Sequence, residues 1–126
     1  MNVPIQRNIR IQIKAQGGRP GEFATFTIDG RMLIKDIFAL HRPMYQNADG
    51  QLSQDRKGWV LTHIPTGRRI MREITTIKQG LSISKDLMNK GIDWTFTDIG
   101  TMDVDLRRRA QEVVQALKGV YGLPEH

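Results

Sequence analysis

The chain has 126 residues, 39% of them hydrophobic and 25% charged, with a formal net charge of +6. That length suits a single domain with a modest core, and the absence of cysteine excludes disulfides and thiolate metal sites. No apolar run approaches the ~20 residues that cross a bilayer, and the opening Met-Asn-Val-Pro-Ile-Gln-Arg lacks the apolar stretch of a secretion signal, so a cytoplasmic protein is expected.

Residues 8–16 alternate cleanly, with Ile9, Ile11, Ile13 and Ala15 on one face and Arg10, Gln12, Lys14 and Gln16 on the other. This is the pattern of a half-buried strand with a basic outer side. Gly17, Gly18, Pro20 and Gly21 then form a turn-rich loop able to close on a ligand, without the Gly-Lys-Ser/Thr ending of a P-loop. A second strand over residues 22–28 should end at Asp29-Gly30, a dipeptide suited to a tight hairpin turn. A third returns over 31–35, and 36–40 could continue as strand or form a short helix, with strand the favoured reading. Residues 41–57 are polar, with Pro43, Asn47, Asp49-Gly50 and Asp55, and read as a long loop of the kind that is usually functional or disordered. Residues 58–64 and 68–73 form a hairpin around Pro65-Thr66-Gly67.

The period then changes. Ile74, Ile77, Leu81, Ser84 and Met88 recur at helical spacing, interrupted by Gly80. Ser82 or Ser84 could cap a shorter helix that ends at Gly91. Ile92, Trp94 and Phe96 alternate with Asp93, Thr95 and Thr97, which predicts a short strand near 92–97. Leu106, Ala110, Val113 and Leu117 mark a last helix over 103–118, capped by Thr101 or Asp103 and stopped by Gly119. These elements predict one α+β domain over residues 1–126, mainly β over 1–73 and mainly helical over 74–126. An antiparallel sheet of five or six strands would pack against one or two C-terminal helices.

The charge is unevenly placed. Residues 1–72 carry twelve Lys or Arg against five Asp or Glu, a net of +7, and the remainder carries seven against eight. Arg10, Lys14, Arg31, Lys35, Arg68, Arg69 and Arg72 fall on or beside the predicted strands, where residues two or four apart share a side. A row of cations on an open sheet face matches repeated phosphates without reading sequence. Phe23, Tyr45 and Trp59 could stack the bases of a single strand. The expected function is a non-catalytic module that binds single-stranded DNA or RNA with weak selectivity. A homodimer would lengthen the basic surface.

Gly-Trp-Val-Leu-Thr-His-Ile-Pro-Thr-Gly-Arg-Arg (58–69) is the most distinctive string, and Asp93-Trp94 follows the predicted helix. Over residues 58–97 this order resembles small uncharacterised phage and prophage proteins with a Trp-then-Thr-His-x-x-Thr-Gly hairpin. The resemblance implies a mobile-element origin and no particular function; the alternative function is that of a phage or mobile-element protein that binds or inhibits a host protein, meeting an acidic partner through the 41–57 loop and the Arg-rich edges. The order of strands then helix is also similar to Whirly-like single-stranded DNA-binding domains, in topology alone. The other chemical candidates are weaker. Thr62 and His63 are neighbours on a strand and so face opposite ways. Three histidines without His-x-x-x-His spacing suggest no metal site. Arg107, Arg108 and Arg109 fan around a helix at about 100° each, as expected of a solvated face. No catalytic residue and no cofactor is expected.

Overall fold

The computed structural model describes residues 6–16, 23–34, 36–46, 52–54 and 57–125, with side chains for 28–34, 36–43 and 57–125. It is α+β. Strands β1 (Gln6–Gln16), β2 (Phe23–Ile34), β3 (Phe38–His41), β6 (Trp59–His63) and β7 (Arg68–Ile74) join in that order, antiparallel throughout. Between them β4 (Met44–Gln46) and β5 (Leu52–Gln54) make a separate small ladder. Two helices follow, α1 (Ile77–Met88) and α2 (Val104–Tyr121).

The first hairpin differs from expectation. Gln16 is registered with Phe23, so β2 runs on past Asp29-Gly30, which pair with Arg10 and Ile9 instead of turning. A strand long enough to pair with all of β1 needs those two residues extended. The turn comes later, at Asp36, whose φ of 61° is the left-handed conformation that Asp tolerates. Residues 41–57 were expected as loop; β4 and β5 give this stretch a short ladder of its own. The glycine-rich loop at 17–21 lies outside the described residues.

All four residues of β3 are buried, as are the last four of β6. The predicted open sheet face is therefore not found along the central strands. Phe38, Leu40, Leu61 and Met71 meet Ile83 and Leu87 of α1 in the core, joined by Ala110 and Leu117 of α2. β1 also approaches β7, so the sheet curls until its first and last strands come near each other.

The helix ends follow the rules of capping, with Asp103 as expected at the start of α2 and other residues than expected at the remaining ends. Thr76, not Ser82 or Ser84, caps α1: its hydroxyl accepts from the Gln79 N–H at 3.0 Å, and the Gln79 side chain reaches back to the Thr75 N–H at 2.9 Å. The return bond reaches the residue just before the cap, which makes the pair a variant of the capping box. Asn89 closes the helix. Asp103 caps α2 through the N–H groups of Asp105 and Leu106. Gly119 lies inside α2, and Gly122, at φ 68°, ends it while the Leu123 N–H returns to the Lys118 carbonyl at 2.9 Å. The helices are tied by Tyr121, whose hydroxyl donates to Asp86 at 2.6 Å and accepts from Ser82 at 3.0 Å.

Residues 92–97 are not a strand. Asp93 accepts from both the N–H and the hydroxyl of Thr95, a local turn that competes with any ladder. The alternation is nonetheless real, because Ile92 and Trp94 are buried while Asp93 and Thr95 are exposed.

Gly80 is buried where α1 crosses β3, and a Cβ there would collide with the Leu40 side chain. Gly119 faces open space. Gly80→Ala should therefore lower stability by about 1–3 kcal/mol through overpacking. Gly119→Ala should raise it by up to about 1 kcal/mol through helix propensity. Denaturant midpoints of the two variants check the contrast.

Candidate functional site

His63 ends β6 and holds the far side of the fold in place. Its Nε2 lies 2.6 Å from the Trp94 carbonyl and its Nδ1 2.8 Å from the Thr66 hydroxyl. A carbonyl can only accept, so Nε2 carries the hydrogen and Nδ1 accepts from Thr66. Phe38, Trp94 and Phe96 surround the ring, with the Phe96 centroid 4.5 Å away and tilted by 30°. Trp94 is fixed at its other end, where its indole N–H donates to the Leu87 carbonyl at 3.0 Å. His41 repeats the arrangement: Nδ1 donates to the Arg42 carbonyl at 2.8 Å, and Nε2 accepts from Thr62 at 2.7 Å. Both histidines are thus satisfied core groups, and Thr62 and His63 serve different partners.

Beside His63 lies a cleft of about 250 Å³ between β7, the 94–102 segment and α2. Its walls are apolar, from Ile70, Phe96, Ile99, Met102 and Val114, with Gln111 and Gln115 offering amides. Four cations reach it: Arg68 and Arg69 from β7, and Arg107 and Lys118 from α2. No carboxylate is among the described residues that line it. Lys118 is buried, and its ammonium donates to the Glu125 carbonyl at 3.0 Å. Burial, then the charges of Arg69 and Arg72, hold it below the ordinary lysine value, with Glu125 pulling the other way.

The predicted site residues divide. Arg68 and Arg69 share the cleft, and Arg72 lies near enough for its charge to act on Lys118 while pairing with Glu73 at 3.5 Å. Arg31 and Trp59 sit together at the opposite end of β6, four residues or about 13 Å along the strand from His63. There Trp59 is already covered: the Arg42 guanidinium stands 3.7 Å from its ring centroid and Arg31 5.6 Å, and Arg42 is anchored to the Gly58 carbonyl at 2.9 Å. A base could stack on that face only by displacing Arg42. For Arg10, Lys14, Phe23 and Tyr45 only the backbone register is described, and Lys35 lies outside the described residues.

Sequence reasoning missed Arg107, Lys118 and Phe96. Arg107 was grouped with its neighbours as a solvated face, yet the fan separates the three. Arg108 pairs with Asp105 at 2.6 Å and Glu112 at 3.2 Å, Arg109 reaches toward the Gly91 carbonyl, and Arg107 meets the cleft. The available signal was the spacing of residues 107, 111, 114 and 118, which share one helix face. Among the described residues no cluster of three or more metal-ligating side chains occurs, and no helix is long and apolar enough to cross a membrane. No protein-family model matches the chain, and neither a curated protein nor a solved structure matches it.

Burial pushes both His41 and His63 below the ordinary histidine value, and the carbonyl each donates to pulls partly back. Unfolding releases each ring to an ordinary value of about 6.5. The unfolded chain therefore takes up protons that the folded one resists. Stability should hold above about pH 6.5 and decline as the pH falls from there toward the lowered folded values. Thermal melts from pH 8 to 5 check this, and His63→Gln should flatten the decline.

Proposed function

We propose that the protein is a binding module for single-stranded nucleic acid with weak sequence selectivity, working through the cleft between β7 and α2. The observation that carries the reading is the convergence of Arg68, Arg69, Arg107 and Lys118 on a cleft whose described lining contains no carboxylate. Cations brought together on one cleft create a field that phosphates can satisfy. Phe96, half-buried on the same wall, supplies a ring face for one base. Trp59, under its own arginine, contributes less than its position in the sequence suggested.

The apolar walls support a second reading, in which an acidic segment of a partner protein seats an aliphatic or aromatic anchor between Ile70 and Met102. That is the form a host-protein inhibitor from a mobile element would take. The phosphate reading is preferred because the amides of Gln111 and Gln115 and four cations crowd a small volume, more positive charge than one acidic side chain offsets.

Binding of a labelled single-stranded oligonucleotide should weaken roughly 7- to 50-fold between 50 and 200 mM salt, the slope expected when two to four phosphates are neutralised. Arg69→Ala or Arg107→Ala should each weaken binding and flatten that slope by up to about 0.7, with thermal stability nearly unchanged. Arg108→Ala, paired on the outer face of α2, should bind as the parent does. An oligonucleotide that fails to bind at low salt would defeat the nucleic-acid reading and turn attention to an acidic protein partner.

A further inference from the structure

The cleft has a direction. Arg107 and Lys118 lie on the same face of α2 eleven residues apart, about 16 Å along the axis, so they mark its two ends. Ile99 and Met102 come from the segment that leads into the N-terminus of α2, near Arg107, and Phe96, earlier in that segment, rests against His63. At the other end Lys118 stands within the field of Arg69 and Arg72. One end is thus apolar beside Arg107, the His63 and Phe96 rings lie with Arg68 across the strand pair, and the other end carries Lys118 and Arg69. A volume of about 250 Å³ falls below the usual range of small-molecule sites. It suits one nucleotide laid lengthwise better than a continuous strand.

The cationic end is poorly matched to a phosphodiester. A diester carries one negative charge, whereas a terminal phosphate monoester carries about −1.5 to −2 at neutral pH and three acceptor oxygens. Lys118 has left water for a site that offers it one carbonyl and, from outside the cleft lining, the charge of Glu125. Arg69, from the neighbouring strand, is exposed and can turn toward the same oxygens. Several donors on a doubly charged oxygen cluster bind it more strongly than they bind a single charge.

Resting on the strand-binding reading above, we propose that the cleft recognises a nucleotide phosphate monoester, held by Lys118 and Arg69 with its base against Phe96. The site would then favour a phosphorylated chain end over the interior of a strand.

Fluorescence anisotropy with internally labelled oligonucleotides of one sequence tests this, comparing a 5′-phosphate, a 3′-phosphate and hydroxyls at both ends. One phosphorylated end should bind about tenfold or more tightly than the hydroxyl-ended strand, the effect of one added charged hydrogen bond. Arg69→Gln should bring that ratio close to one, as should Lys118→Gln where it folds, and Arg108→Ala should preserve it. Competition with AMP separates the sources of the monoester: displacement at comparable concentration assigns the site to free nucleotides, and failure to displace assigns it to chain ends. Equal binding of all three oligonucleotides would overturn the monoester site and leave strand binding standing. No binding by any of them at low salt, with none to AMP, would overturn both.

Discussion

The short hydrogen bond from the His63 imidazole to the Trp94 carbonyl is the constraint on which the rest of this architecture leans. It joins the last residue of a central strand to a segment with no ladder of its own. Without a partner strand, residues 92–98 would have to satisfy their backbone groups in water. The neutral ring supplies one donor in a dry aromatic setting, where an electrostatic contact is stronger than in solvent. The indole N–H of Trp94 then fixes the same segment to the end of α1. Held twice at Trp94, by backbone and by side chain, the segment becomes one wall of the cleft, and its Phe96 ring rests against His63.

The other walls follow from ordinary packing. Burial of β3 and β6 on both sides requires a helix close against the sheet, and Gly80 allows α1 to approach Leu40. α2 is then fixed to α1 through Tyr121 and Asp86. With α2 placed, helical periodicity alone sends Arg107 and Lys118 to the cleft and Arg108 to solvent. The cationic grouping is thus a product of helix phase and strand edge together, rather than of a flat basic sheet.

This division explains what could be read from the chain beforehand. The hairpin at 58–73, the two helices and the apolar stripes of Leu106, Ala110 and Leu117 follow from local periodicity, and they are present. Asp29-Gly30 carried a genuine turn signal, overridden because the pairing of β1 requires a long partner. Residues 92–97 misled in an instructive way: their alternation reports burial, and burial alternates in an Asx-turned segment pinned by a tryptophan as it does in a strand. The Thr-His-x-x-Thr-Gly string and the later Asp-Trp pair, legible only as an order along the chain, are the two ends of one hydrogen-bonded contact, with Gly67 in the left-handed turn between strands. Arg68 and Arg69 were legible as candidates because they sit on an edge strand. Lys118 was not, since the arginines whose charge it feels lie some fifty residues earlier and nothing local distinguishes it from a helix-end lysine. The cover over Trp59 was not legible because Arg42, sixteen residues before its Gly58 anchor, could not be placed above the ring from sequence.

The placement of the two tryptophans has a consequence of its own. Trp94 is enclosed, with its indole nitrogen bound to a carbonyl, while Trp59 lies half-buried beneath a guanidinium at the opposite end of β6. Their excited states therefore sense unlike surroundings, a dry one beside the cleft and a polar, cation-capped one remote from it. The chain carries its own pair of optical reporters, and emission from each can follow one end of the molecule without any added label.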